Sequence, residues 1–414
     1  MKKSLKIVYF VLRKTCYLFS LPIACFLSAI FPVYRIRLIG LQSFRIGHYA
    51  LNTELMLCAL KVNHHTKKQK IFFFNTASPC NSQLYKMWKR TLPFFPFSVL
   101  AVQVDFLMSR FLGEKYTHDI VKKTYESCGS GAVDQMGFLH RIEKPTLCFN
   151  KNENNKAKKI LNQMGISEEA KYICLVVRDA GYLNKQYPES DWRYHDHRNA
   201  DIDNYKQAAL FLAEKGYYVI RMGKYVEKQF IINHPNIIDY ANHPLRSDFM
   251  DIYLSAHCYF CISTCTGLDC VSQIFRRPVL MTNISPAGAE LLMWYPCTLY
   301  IPKLMKDYAQ NRFLTLAETA SVCKTLSKNI LSDLKKKNLA IVENTPEDIV
   351  EVVKEMECRV SNAWQETHEQ NELQHKYWDQ YKKHCPVDVN KIYIKMGNDF
   401  LKKHEQIYNM EFNI

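Results

Sequence analysis

The chain has 414 residues, is 48% hydrophobic and 13% aromatic, and carries 55 Lys and Arg against 40 Asp and Glu, a net charge of +15. That length suits two folded domains, and that apolar share excludes a disordered or fibrous chain. The positive balance favours anionic partners; with no zinc-finger spacing, RNP-like aromatic box or concentrated basic recognition helix, nucleic acid is not expected among them.

At the amino terminus, Lys2, Lys3, Lys6, Arg13 and Lys14 lie among apolar residues. Residues 15–34 then carry no charge, and Arg35, Arg37 and Arg45 follow. The uncharged run is at the lower edge of what spans a bilayer, Pro22 and Pro32 interrupt it, and cations flank both ends. No small-residue cleavage site marks a signal peptide. The expectation is a basic, apolar membrane-associating segment over residues 1–36, peripheral or monotopic at the cytoplasmic face of the inner membrane. An ordinary core helix is the alternative.

Arg37–Leu41 reads as a strand, Gly47 as the turn after it, and Leu55–Leu60 as an apolar helix. Asn52 or Thr53 could cap that helix and Glu54 could sit in its first turn. Lys70–Phe74 is a second strand, followed by the polar loop Asn75–Asn81 and a helix over Ser82–Arg90. Phe94–Val104 reads as a connection plus a strand, and residues 105–150 show no assignable pattern. Lys151–Met164 is an amphipathic helix ended by Gly165, and the domain boundary is placed there.

Strand and helix then alternate, as in a parallel sheet joined by crossovers. Tyr172–Val177 is an uninterrupted apolar run ending in Arg178-Asp179, and about two dozen polar and aromatic residues precede a helix near Asp203. Tyr217–Arg221 ends in Arg221-Met222-Gly223-Lys224, Tyr259–Ser263 in Thr264-Cys265-Thr266-Gly267, and Pro278–Thr282 in Asn283-Ile284-Ser285. Ligands of open α/β sheets bind past strand carboxyl ends, so Arg, Lys and small hydroxyls gathered there predict a pocket for a phosphate-bearing ligand. Helices are expected over Ser247–Ala256 and Leu268–Phe275, and Thr345-Pro346-Glu347-Asp348 is a helix start leading into a charged helical tail. After Pro296 the alternation weakens. His195-Asp196-His197 could place two imidazoles on one cation, but no third ligand stands out and no metal is expected. Cys258, Cys261, Cys265 and Cys270 fall across a strand, a turn and a helix start, and read as small buried residues.

The motifs VVRDAGY, YHDHRNADIDNY, VIRMGK, IIDYANHPLRSDFMDIYL and ISTCTGLD resemble those of a bacterial glycosyltransferase family linked to surface polysaccharide synthesis, over roughly residues 35–290. The Arg-Asp strand end and the Ser/Thr-Gly turn are distantly similar to the donor half of fucosyltransferase-type GT-B enzymes. The resemblance implies an α/β, GT-B-like fold of two Rossmann-like domains facing a cleft: an acceptor-side domain over 37–165, a nucleotide-sugar domain over 166–345 and a helical extension over 346–414. It implies a nucleotide-sugar donor, a polyprenyl-linked or polysaccharide acceptor and no cofactor. The acceptor-side candidates are then His48, Asn52 and Asn75, with His48 or Glu54 as general base. Arg178, Arg198, Arg221 and Lys224 are the candidate cations for the leaving diphosphate, Arg178 and Arg221 foremost. Asp179, Gly223, Ser263, Thr264, Thr266 and Gly267 join them, and Asp239, Tyr240, Ser247 and Asp248 border the base and ribose. A different nucleotide-sugar enzyme, epimerase-like, and a non-catalytic membrane scaffold are the alternatives.

Overall fold

The computed structural model describes residues 17–62, 69–117, 134, 137–286, 298–384 and 394–409; the basic stretch Met1–Lys14 lies outside them. The chain divides into two compact units, residues 1–132 with 144–149, and residues 133–143 with 150–414.

In the first unit a helix over residues 17–30 (α1) leads into β1 (Arg35–Leu41). After α2 (Thr53–Val62) the chain returns as β2 (Gln69–Asn75), parallel to β1. Asn81 caps α3 (Ser82–Thr91), its Oδ1 accepting from Leu84 N at 2.9 Å. The strand expected within Phe94–Val104 is instead a helix, α4 (Ser98–Leu112), with only Phe94 bridging to Phe73. The valines there read locally as β-formers. Burial decides otherwise: Ala101, Val104, Leu107 and Met108 recur at helical spacing and pack with Ala24, Phe31, Leu38 and Phe74 in one core.

After a single helical turn at Phe138–Arg141, the second unit continues with α5 (Lys151–Gln163), closed at its start by a capping box between Asn150 and Glu153. Its main sheet has seven strands, all parallel. From β3 (Tyr172–Val176) the chain passes a 3-10 turn and α6 (Lys206–Glu214) to β4 (Tyr218–Arg221) and then β5 (Ile237–Ile238), always moving towards one edge. It then crosses back through α7 (Asp248–His257) to β6 (Cys261–Ser263) on the other side of β3. From there α8 (Asp269–Ile274), β7 (Val279–Ile284) and β8 (Thr298–Pro302) continue outward. The direction of winding therefore reverses between β3 and β6, which opens a crevice at their carboxyl ends. Every residue of β3 is buried, as its unbroken apolar run requires.

The helix placed near Asp203 begins three residues later. Asp201 caps a turn over Ile202–Tyr205, accepting from Asp203 N at 3.0 Å, and α6 follows. Past Lys303 the weak pattern resolves into a small antiparallel sheet in which β9 (Leu304–Asp307) lies between β10 (Arg312–Phe313) and β11 (Leu339–Val342). Its core is Met305, Leu314, Leu334 and Leu339; strands this short carry too little alternation to be read. Thr345 and Asp348 form the capping box of α9 (Pro346–Val360). The tail is packed: on α10 (His368–His384) Tyr377 meets Tyr300 at 2.6 Å between hydroxyls, and Gln374 Nε2 donates to Met396 O at 2.6 Å, holding β12 (Lys395–Met396) against β8.

Candidate functional site

The crevice between β3 and β6 is closed at its base by hydrogen bonds that each join a backbone group to a side chain. Arg178 N donates to Thr264 Oγ1 at 2.8 Å, tying one strand end to the other. Arg198, from the turn Arg193–Arg198, donates through Nη2 to Cys265 O at 2.9 Å. Cys265 has φ +58°, a left-handed conformation that a non-glycine residue holds only where its surroundings dictate it, commonly at a functional site. Asp269 supplies that constraint. Its Oδ2 accepts from Ser263 Oγ at 2.6 Å and from Thr266 N at 2.8 Å, while Thr266 Oγ1 accepts from Leu268 N at 3.3 Å as the chain passes Gly267 into α8. Burial pushes the Asp269 carboxyl up to about 6.

Around this turn the structure gathers positive charge. Burial, and then the charge of Arg198, bring the Arg178 guanidinium down to about 10, with Asp179 and Asp196 offsetting this in part. Arg178 Nε is buried and has no hydrogen-bond partner. Lys303, 4% exposed, donates through Nζ to Asn199 O and lies 3.8 Å from Glu343; burial lowers its pKa. His197 Nδ1–H donates to Tyr194 O at 3.0 Å, and burial with the charges of Arg198, Lys303 and Arg178 depresses its ring to about 4. Arg221 and Arg246 leave their Nε without a partner in the same way; what sets Arg178 apart is the second guanidinium of Arg198 beside it, with Lys303 and His197 close by.

The next loop along the rim does different work. Arg221, expected to grip phosphate, is 1% exposed; Nη1 donates to Asp239 Oδ1 at 3.2 Å and Nη2 to Lys228 O at 3.1 Å, with Asp179 Oδ2 at 3.8 Å. Arg221 is in this way a strut between Asp239 and the Lys228 carbonyl, while its Nε, like that of Arg178, meets no hydrogen-bond partner. Asp179 accepts from Gly181 N and Glu227 N, both at 2.9 Å, and Asp239 from Phe230 N at 3.0 Å and Asn242 Nδ2 at 2.8 Å. Both carboxylates thus pin loops. Tyr240, fully buried, accepts from Ser247 N at 3.0 Å and donates to Asp251 at 3.0 Å, while Ser247 caps α7 through Met250 N at 3.2 Å.

What these struts hold open is a cavity of ≈ 630 Å³, lined by Asn184, Lys185, Lys224, Tyr225 and Asn242 among others. Lys185 Nζ sits 4.7 Å from the centre of the Tyr225 ring, and Lys224 is 3.7 Å from Asp248. At Gly223, φ +154°, a Cβ would stand 2.7 Å from the Val226 side chain, so only glycine fits there. The cavity is large enough for a nucleoside. It shares no lining residue with the arginine pair, and the segment Arg178–Gly181 joins the two places along one rim.

In the first unit, Glu54 is fully buried in α2, its Oε1 accepting from Thr146 N at 3.1 Å. Its carboxylate is thereby enclosed among residues of its own unit. Asn75 accepts at Oδ1 from the Tyr49 hydroxyl at 3.1 Å, and Asn52 Nδ2 meets His48 Nδ1 at 3.2 Å. His48 is half-buried; burial and the charge of Arg45 lower its pKa, so the ring is neutral at pH 7 and able to accept a proton. In His195-Asp196-His197, His195 stacks on Trp192 with ring centres 6.2 Å apart and Asp196 accepts from Asn199 Nδ2 at 3.0 Å. Among the described residues no group of His, Cys, Asp and Glu could hold a metal ion. Lys303, Lys185 and Tyr225 were not legible as site residues; Lys303 follows a strand separated from Arg178 by more than a hundred residues, and only the Gly223-Lys224 turn hinted at Tyr225.

No family model matches the chain, and no curated protein does. Among solved structures it is similar to the ADP-heptose LPS heptosyltransferase II of E. coli, 13% identical over 73% of this chain and 98% of that one, with a TM-score of 0.36. It is similar also to a family 9 glycosyl transferase of Veillonella parvula DSM 2008 (10% identical, 65% and 86% covered, TM-score 0.41). The E. coli heptosyltransferase WaaC with ADP is a third (9%, 76% and 99%, 0.34).

Proposed function

We propose that this protein is a metal-independent glycosyltransferase of GT-B type, moving a sugar from a nucleotide-sugar donor to a lipid-linked or polysaccharide acceptor in cell-surface glycan synthesis, at the cytoplasmic face of the membrane. The observation that carries the reading is the Arg178–Arg198 pair over the Ser263–Gly267 turn at the point where the sheet reverses. In transfer, an acceptor hydroxyl oxygen bonds to the anomeric carbon, the bond from that carbon to the diphosphate breaks, and the diphosphate leaves with the electron pair. Arg178 and Arg198 meet the charge that develops there, and they act strongly because burial excludes water around them. The cavity beside Tyr225 takes the nucleoside. His48 is the candidate base for the acceptor proton.

The test is to titrate the full chain with a panel of nucleoside diphosphates and nucleotide sugars, reading heat and the shift in melting temperature, and then to add polyprenyl-linked acceptors and follow sugar transfer. Binding of a nucleoside diphosphate that weakens in Arg198→Ala supports the reading. Release of an altered free sugar nucleotide without acceptor points to the epimerase class. Failure to bind any member of the panel removes the enzyme reading.

A further inference from the structure

The first unit carries a feature that donor chemistry does not use. Of its two outer helices, α1 buries Ala24 and α4 buries Ala101, Val104, Leu107 and Met108 in one shared core. On the side away from that core, α1 exposes Leu18, Phe19, Leu21, Pro22, Cys25, Phe26 and Ala29, an arc with no polar residue in it. On α4 the outward stripe is Val99, Val102 and Phe106, with Arg110 at its end; Phe106 is 62% exposed and Phe26 63%. Val33, Tyr34, Phe97 and Phe111 are exposed beside them. Scattered exposed apolar residues are ordinary, but two helices that turn apolar faces outward from a common core are not.

The charge of the chain is placed to match. Residues 1–132 hold 19 Lys and Arg against 5 Asp and Glu, a balance of +14, which leaves +1 for the other 282 residues. Almost the entire net charge of +15 therefore belongs to the stretch that carries the apolar faces. No helix among the described residues is long and apolar enough to cross a membrane; the 14 residues of α1 reach about 21 Å, short of a bilayer's hydrocarbon thickness. Apolar arcs flanked by cations, on helices too short to span, fit the boundary between acyl chains and headgroups.

We infer that α4, together with α1, forms a two-helix face that lies in the plane of an anionic bilayer, with Phe106, Val102 and Val99 inserted beside Leu18, Phe19 and Phe26. This deepens the membrane-bound part of the reading above and rests on it, but it needs nothing from the sugar chemistry. The partner is a lipid surface, and residues 1–36 are then only half of the anchor.

The experiment uses the full chain and vesicles of phosphatidylcholine, with and without phosphatidylglycerol, reading co-sedimentation and, in parallel, binding of a nucleoside diphosphate in solution. The double variant Phe106→Ser with Val102→Ser changes exposed positions only. It is expected to keep its melting temperature and its nucleotide binding while partitioning onto anionic vesicles about tenfold less. Wild-type partitioning should weaken as salt is raised. Unchanged partitioning of the double variant, with loss in Phe19→Ser and Phe26→Ser, overturns the role of α4. Equal binding to vesicles lacking phosphatidylglycerol overturns the anionic partner. Self-association that the α4 variant abolishes, without vesicle binding by the wild type, shows a second copy on the face and overturns the proposal. Loss of nucleotide binding with vesicle binding intact would instead fault the donor site alone.

Discussion

Replacing Arg178 by Met separates a binding role from a folding role. Its guanidinium falls from its ordinary value to about 10, mostly through burial and next through the charge of Arg198. A shift of that size corresponds to about 3 kcal/mol against the charged form in the free protein. Methionine keeps the aliphatic stem and removes both the charge and the unpartnered Nε. That figure already includes the attraction to Asp179 and Asp196, so removing the charge should stabilise the free protein by up to about 3 kcal/mol, raising the melting temperature by about 2–4 °C per kcal/mol. A hydrogen bond to a charged group contributes about 1.5–3 kcal/mol, so the variant should bind a nucleoside diphosphate at least tenfold more weakly. Calorimetric titration and thermal denaturation without ligand read the two effects separately. A variant that is less stable than wild type and binds with unchanged affinity would refute the assignment of Arg178 to an anion site.

Three further outcomes follow from the same geometry. His197, depressed to about 4 by burial and by Arg198, Lys303 and Arg178, favours the fold above pH 6.5 and opposes it progressively as pH falls towards 4; an anion between the arginines cancels part of that field, so adding nucleoside diphosphate should raise its pKa in an NMR titration, and an unmoved ring would place the anion elsewhere. Arg221→Ala strands Asp239 and should cost about 3–5 kcal/mol of folding free energy, read as an earlier urea midpoint; an unchanged midpoint with weaker ligand binding would return Arg221 to the phosphates. With His48 as base, kcat/KM should rise with pH and level off below 6.5, since burial and Arg45 lower its pKa; His48→Asn should flatten that limb and lower kcat about 10²-fold or more, and a limb that survives the substitution assigns the proton to another group.

Much of the second unit could be read in advance because its signals are local. The apolar run 172–177, the Arg221-Met222-Gly223-Lys224 strand end and the Thr345-Pro346 helix start each specify their element through neighbours in sequence. Local signals failed at Ser98–Leu112, where valines argued for a strand and only the shared core with Ala24 and Phe74 made a helix. They failed again for the strands of two to four residues past Lys303.

Side-chain roles were harder, because a guanidinium at a strand end looks the same in sequence whether it faces a ligand or a buried carboxylate. The residue types and spacing along the chain determined that cations and hydroxyls would collect past the strands, since strand ends and helix starts follow from local pattern alone. Which arginine pairs with which group was decided only by tertiary structure: Asp239 and Lys228 close around Arg221, whereas Arg198 is brought beside Arg178, whose guanidinium burial lowers. Those partners lie in other segments, and no local pattern carries the distance between them.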